Sequence, residues 1–512
     1  MNVKTTFSKF KIYSLYFWIL LFCSLLNEAH DYAFIVSTIN VVVFSFGMLL
    51  VINKFSSSET SVYEQNKKRR LSFSEDKELI VLTVFWCLNL LSVFLNHQYN
   101  TGANLQTLMY MFLQFYLIYD RIGTNNLEHK KSFFKKLGAF LVVFTMTVNI
   151  LSLIMFILGI RIQVNQVYVI GFDNTSNRLW GFFNPNAGAA LAIISIAFSL
   201  YFIAYADRKT AKVINVINIL IQYLYIVLAH SRSALIGLAV FIFFVILAAL
   251  YNLQIKIMRQ KLGEFEKRDQ NRLSADKTKA FAISTALSIC LSVLIISSTV
   301  FVRPYLMRIP VDTDSAFEII DNSLNLRIKN KNSGIFIGSD ALKKISPERS
   351  TAAQLIDPSR GRILFWLETI KLLNDKPLVG VSYFGVIEEV TAAVESPTAK
   401  AEIQAGGIHS SLISIVGASG LLGLIVFMIY FFLQNLSIIK MFYLQYTLRH
   451  SLNLSMIIIY ALVIAFIIID LVETRLLYTM NFMSLFFWFF MGILQDLSKE
   501  SMKEELNFNS VL

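Results

Sequence analysis

The chain is a succession of apolar runs, and this limits its fold more than any motif in it. The runs fall at approximately residues 12–26, 33–53, 79–96, 103–119, 137–159, 187–205, 212–229, 233–251, 281–301, 410–434, 453–470 and 476–494. Most are near the roughly 17–25 residues that a helix needs to cross a bilayer. Only 16% of the residues are charged, against about 25% in soluble domains, and the mean hydropathy is +0.59. A single soluble core is excluded, and an all-α polytopic membrane protein with twelve transmembrane helices is predicted. The first run has no small-x-small cleavage site after it, and Phe22 rather than a lipoprotein signal precedes Cys23. It reads as the first membrane helix.

Orientation follows from the basic residues between the runs. With the N-terminus in the cytoplasm, the inside segments carry 29 of the 46 Lys and Arg residues, the short outside links 4, and one long outside loop 13. Both termini are then cytoplasmic, and Arg303–Ile408 is extracytoplasmic. The net charge of +12 becomes a topology signal and a contact with anionic membrane lipid, not a nucleic-acid footprint. The chain divides into membrane helices 1–4 (1–136), helices 5–9 (137–301), the long loop (302–408), helices 10–12 (409–496) and a cytoplasmic tail (497–512). The three cysteines, Cys23, Cys87 and Cys290, lie in apolar runs, so the loop has no disulfide of its own.

Chemistry is sought at the outer ends of the helices. Asn184-Pro185 is a helix start, with Asn as cap and Pro in the first turn. It leaves Arg178 as a cation at the outer surface, where it either snorkels or acts. His230-Ser231-Arg232-Ser233 joins two helices by so short a link that Arg232 sits at the membrane boundary, where an arginine needs a partner or a function. In the long loop, Asp357-Pro358 can start a helix and Asn374-Asp375-Lys376-Pro377 can stop one. Ile363, Trp366, Ile370 and Leu373 recur between them at helical spacing, as in an amphipathic helix lying along the outer surface.

Arg362 and Trp366 share a face of that segment; Arg360 points elsewhere, so Arg360 and Arg362 need not both act. His409 follows Gly406-Gly407 in the first turn of the next helix, where the imidazolium is disfavoured and a neutral imidazole can accept a proton from a hydroxyl. Asp470 and Glu473, beside Arg475, read as a local ion pair. Guanidinium groups suit a diphosphate because they pair bidentately and stay charged. No Walker loop, HExxH site or carboxylate cluster with metal-ligand spacing occurs in the sequence. The set favours transfer from a lipid diphosphate with no metal or other cofactor.

These residues resemble the O-antigen ligase and Wzy-type polysaccharide polymerase family over roughly 140–435. The resemblance rests on Gly181-Phe182-Phe183-Asn184-Pro185-Asn186, Ser231-Arg232-Ser233-Ala234, Ser359-Arg360-Gly361-Arg362 with Trp366, Pro377-xx-Gly380, and Ile408-His409-Ser410-Ser411-Leu412 followed by Gly417-xx-Gly420-xx-Gly423. Two departures are Ser410, where the family often has Asn, and Gly380-Val381-Ser382, where it usually has GxG.

The resemblance implies a GT-C-like glycosyltransferase working on undecaprenyl-diphosphate-linked glycan and an acceptor glycan. Arg178, Arg232 and Arg362 (or Arg360) would hold the diphosphate, and His409 would activate the acceptor hydroxyl. A chain-length regulator and a flippase are the protein partners such a polymerase implies. A ligase acting on lipid A core or protein is the alternative within the family; a glycan flippase or transporter is the alternative outside it. Against the latter, the largest loop separates helices 9 and 10 rather than two equal halves.

Overall fold

The computed structural model describes residues 3–29, 33–60, 77–119, 127–163, 169–173, 176–262, 270–309, 335–337, 362–449 and 452–509. Inside a membrane the backbone must satisfy its own hydrogen bonds, so apolar runs become helices. Each of the twelve predicted runs falls on a helical segment. They are α1 (Val3–Ala29), α2 (Ala33–Thr60), α3 (Lys77–Leu95), α4 (Thr101–Leu113, continued as a π-helix through Tyr119), α5 (Leu127–Ile157), α6 (Pro185–Tyr205), α7 (Lys209–Ala229), α8 (Arg232–Leu262) and α9 (Gln270–Leu306). After the long loop come α13 (Ser411–Arg449), α14 (Leu454–Asp470) and α15 (Phe482–Asn509).

Among the described residues, seven helices are long and apolar enough to cross a membrane. Shorter apolar helices cover Ile12–Glu28, Asn40–Asn53 and Leu454–Asp470. The chain is thus an all-α polytopic membrane protein in its main architecture. Helix α6 is the most enclosed of the seven, with 72% of its apolar window buried. It packs against α5, α7, α8 and α14 and forms the hub of the bundle.

One feature departs from the all-α expectation. A small antiparallel sheet of order β3-β2-β1-β4 covers the ends of α5 and α7. Its strands are β1 (Ile160–Gln163), β2 (Val169–Asp173), β3 (Arg178–Gly181) and β4 (Ile335–Ile337). The last comes from the long loop and pairs with β1. The link that holds Arg178 is therefore a strand in a sheet.

The long loop also contains α10 (Arg362–Lys371), a 3₁₀ turn (Leu372–Asn374), α11 (Tyr383–Ala393) and α12 (Pro397–Gly406). Helix α10 is the expected amphipathic segment. Arg362, Phe365 and Thr369 turn inward, whereas Ile363, Leu364, Leu367 and Ile370 are 44–60% exposed. An outward apolar face and a polar inward one suit a helix bathed in the lipid interface.

The turn after α10 is spliced into α13. Helix α13 is broken at Gly420, whose φ is 65° and ψ −165°. The residues of the Pro377–Ser382 turn take up hydrogen bonds along the break. Leu421 N donates to Pro377 O (2.9 Å), Leu422 N to Leu378 O (3.2 Å), Val381 N to Gly417 O (2.9 Å) and Ser382 N to Ala418 O (3.1 Å). The two backbones approach so closely that a Cβ on Gly380 would lie 2.3 Å from Gly417 O, and one on Gly420 would lie 2.4 Å from Leu378 O. Both glycines also have φ of 65°, a region costly for side-chain-bearing residues. This accounts physically for the spaced glycines of the two motifs. Ser382 itself adopts φ 67°, so it takes a glycine-like backbone where the family pattern has its second glycine. From α3, Ser92 Oγ donates to Ala418 O (2.7 Å) and Asn96 Nδ2 to Gly380 O (3.0 Å), which fastens the splice to the bundle.

Candidate active site

The site begins where α7 meets α8. Helix α7 ends at Ala229, and His230 closes it in a left-handed conformation with φ 49°. Ser231 then caps α8: Leu235 N donates to its carbonyl (2.9 Å) and Ala234 N to its Oγ (3.4 Å). Arg232 is the first residue of α8, which puts its guanidinium at the mouth of the hairpin. Strand β3 brings Arg178 to the same place. Its Nε donates to Ala229 O (2.8 Å), the last carbonyl of α7, and its Nη2 to Asn186 Oδ1 (2.6 Å). A cation on helix-terminal carbonyls is a favourable placement. Asn186 is positioned by the predicted helix start, where Asn184 Oδ1 accepts from Asn186 N (3.0 Å) and Pro185 opens α6.

Helix α10 supplies Arg362, 8% exposed. Its Nη1 donates to Val472 O and to Glu473 Oε1 (3.2 Å), and its Nε lies 3.6 Å from Glu402 Oε1 of α12. One turn on, Trp366 Nε1 donates to Ile408 O (3.1 Å). The shared face of Arg362 and Trp366 therefore does two things: it reaches the carboxylates and it pins the residue before His409.

His409 does not sit inside a helix as expected. Helix α13 starts at Ser411, and His409 lies two residues earlier with φ 57°. A left-handed conformation at a non-glycine residue costs about 1–3 kcal/mol and is held only by its surroundings. Those surroundings are specific. The ring is buried, with Nε2 3.5 Å from Glu402 Oε1 and Nδ1 3.7 Å from Glu473 Oε2. Neither ring nitrogen makes a hydrogen bond within the protein. Phe365 stacks near it at 6.4 Å.

Gly406 lies under the ring: a Cβ there would come within 2.5 Å of His409 Cε1. Gly406→Ala is accordingly expected to displace the imidazole. Transfer activity should fall by tenfold or more, as roughly 1 Å of misplacement can cost about 100-fold, while the thermal transition stays close to that of the wild type. Unchanged activity would mean the ring position is not used.

Glu473 joins these groups. It is 5% exposed and touches Arg362, His409 and, through Oε1, Asn186 Nδ2 (2.8 Å). Burial alone would raise its carboxyl, but the imidazole of His409 and the guanidinium groups of Arg362 and Arg475 more than reverse this and hold it at about 2. Arg475, the expected local partner, contributes to this hold and also reaches Glu28 of α1. Asp470 is occupied separately, accepting from Ser411 Oγ (2.8 Å), Arg475 N (2.7 Å) and Leu476 N (2.9 Å).

Arg178, Arg232 and Arg362, from three separate links, line one cavity of about 30 Å³ with Asn186, His230 and Glu473. Glu473 in the cavity and Glu402 beside it stand against the three guanidinium groups, so cations outnumber carboxylates there. His409 abuts the cavity through Glu473. Arg360 lies outside the described residues. Glu388 and Glu389 stand apart, accepting from Asn100 N (3.2 Å) and Tyr99 OH (2.5 Å). Sequence reasoning missed Glu402 and the bridging role of Glu473. Glu402 occupies one of several polar positions in its segment, and Glu473 has an arginine two residues away that offers a simpler partner.

Fold and site together define an integral membrane protein with a cationic cavity and an adjoining histidine at one end of its helix bundle. Residues 216–428 match the family model described as O-antigen ligase, in agreement with the resemblance drawn from the sequence motifs. That family comprises glycosyltransferase-like ligases and polymerases acting on lipid-linked glycans. The matched span contains Arg232, Arg362 and His409, whereas Arg178 and Glu473 lie on either side of it. No curated protein matches the chain.

Proposed function

We propose that this chain is a polysaccharide polymerase that takes a glycan from undecaprenyl diphosphate and joins it to an acceptor repeat unit outside the cytoplasmic membrane. The observation that carries this reading is the convergence of Arg178, Arg232 and Arg362 on one cavity beside His409. The twelve-helix topology with cytoplasmic termini, and the fivefold division of the chain given by the sequence, belong to the same proposal.

The chemistry follows from the groups present. The acceptor hydroxyl attacks the anomeric carbon, a new glycosidic bond forms, and the bond from that carbon to the carrier's diphosphate breaks. The hydroxyl proton passes to His409, and the electron pair of the broken bond stays on the diphosphate. Developing charge there is met by fixed guanidinium groups in a site screened from water, where such stabilisation is strongest. Glu473, held ionised, lies 3.7 Å from His409 Nδ1. The cavity of about 30 Å³ has room for water-sized guests. The diphosphate would therefore exchange with the Val472 carbonyl and the two carboxylates for Arg362.

The test is reconstitution of the full chain with lipid-linked repeat units. Chains should lengthen without ATP. Arg178→Ala and Arg232→Ala should each reduce elongation by roughly 100-fold or more, since removing one oxyanion-type donor costs about 10²–10³. Elongation that persists in both variants would remove the diphosphate assignment. Substrate movement across the vesicle without chain growth would favour a transporter. The ligase reading has the family description in its favour and differs in acceptor alone. Transfer of preformed polymer to lipid A core, with no growth of repeat units, would establish it instead.

A further inference from the structure

Glu402 of α12 stands between the guanidinium of Arg362 and the imidazole of His409. Its Oε1 lies 3.6 Å from Arg362 Nε and 3.5 Å from His409 Nε2. Each distance exceeds a hydrogen bond by a few tenths of an ångström. Arg362 Nε and both ring nitrogens of His409 are buried and make no hydrogen bond within the protein. One carboxylate oxygen is thus set between two unsatisfied nitrogens and closes on neither. A buried donor left unpaired is costly, so the oxygen has a favourable move in either direction. The two carboxylates here differ in freedom. The Glu473 side chain is 6% exposed and is held by Asn186 Nδ2 (2.8 Å) as well as by Arg362 Nη1 (3.2 Å). The Glu402 side chain is 36% exposed, and its ion-pair partners among the described residues are Arg362 and His409. Helix α12 itself is anchored: Ile403 is fully buried, and Gly407 N closes the helix on Ile403 O (2.8 Å). The carboxylate can therefore turn about its own side-chain bonds while the helix stays in place.

Charge decides which way it turns. Arg362 is a permanent cation and a neutral imidazole is not, so the guanidinium has the stronger hold on Glu402 until a diphosphate competes for it. A diphosphate in the arginine cavity takes up Arg362 and brings negative charge beside Glu402, and like charges repel. His409 Nε2 is then the partner that remains. Catalytic hydrogen bonds are often long before substrate binds and tighten with it. An imidazole that donates its Nε2 proton to a carboxylate keeps its lone pair on Nδ1. Nδ1 lies on the side of Glu473, 3.7 Å from its Oε2, and Glu473 lines the arginine cavity. A hydroxyl attacking a sugar on that diphosphate meets the ring at Nδ1. We propose that Glu402 is a positioning residue that exchanges Arg362 for His409 when the donor diphosphate binds, and so orients the base only in the loaded site. The exchange presupposes that the arginine cavity holds the diphosphate. No bond is made or broken at Glu402. The hydroxyl proton goes to Nδ1, and the Nε2 proton stays on the ring, hydrogen-bonded to the carboxylate that orients it.

The exchange gives one variant two effects of opposite sign. In the full chain carrying Glu402→Gln, farnesyl diphosphate should bind about two- to fivefold more tightly, because a partly exposed competitor for Arg362 is gone. Single-turnover transfer at saturating lipid-linked repeat unit should fall by about tenfold or more, in the direction of the ~10⁴-fold loss that follows neutralising a triad carboxylate. On a His409→Ala background the same substitution should leave the transfer rate unchanged, since residues that act as one unit are not additive. A merely structural role for Glu402 would weaken binding and rate together. Arg362→Ala separates the exchange from the site it depends on. If Arg362→Ala binds farnesyl diphosphate as the wild type does, the diphosphate site falls and the exchange with it. If Arg362→Ala weakens binding but Glu402→Gln does not move affinity and rate in opposite directions, the exchange alone is overturned.

Discussion

His409→Ala is expected to reduce glycan transfer by about 10²–10⁴-fold, the usual contribution of a general base, with little change in the apparent affinity for lipid-linked substrate. The expectation rests on geometry. The imidazole is buried, held in a left-handed backbone, and has no hydrogen bond from either nitrogen to the protein. A side chain fixed so closely and left able to bond elsewhere is suited to a substrate hydroxyl. Single-turnover elongation with the lipid-linked donor measures the effect. A loss confined to binding, with the chemical step unchanged, would reassign His409 to substrate positioning.

Glu473→Gln should have the next largest effect, and on stability as well as activity. The substitution keeps the side-chain shape and removes the buried charge between Arg362 and His409. Breaking a buried pair from one side costs about 3–5 kcal/mol, because the other charge stays buried. The loss should depend on pH in a defined direction. The folded carboxyl is held at about 2, below the ordinary 4.5, so its stabilisation is complete above about pH 4.5 and fades as the pH falls towards 2. Acid-unfolding profiles of the wild type and Glu473→Gln should therefore lie apart near neutrality and converge towards pH 2. Profiles separated by a constant gap would show that the carboxylate's charge is not what matters.

The helices were legible because apolar length is a direct physical requirement of the bilayer, and every predicted run overlaps one, although the last, 476–494, begins six residues before its helix at Phe482. Arg178 and Arg232 were legible for a related reason: a cation at the end of an apolar run needs an explanation; Arg362 was legible as a cation sharing a face with Trp366 on an amphipathic segment of the long loop. The sheet was not legible. Its strands have three to five residues, too short for a visible alternation, and β4 comes from a distant segment. Glu473 was obscured by the neighbouring Arg475, which offers a local partner, while its contacts with Arg362 and His409 come from distant segments.

The splice of the Pro377–Ser382 turn into the broken helix at Gly420 bears on how this protein could be re-engineered. Residues 303–408 look in the sequence like a cassette that could be exchanged between relatives to alter which glycan is accepted. The backbone bonds from Leu421 and Leu422 to Pro377 and Leu378 make that boundary false. A transplant ending at 408 would mate one parent's turn with the other parent's helix break. A viable graft would have to continue through Gly423, so that turn and break travel together.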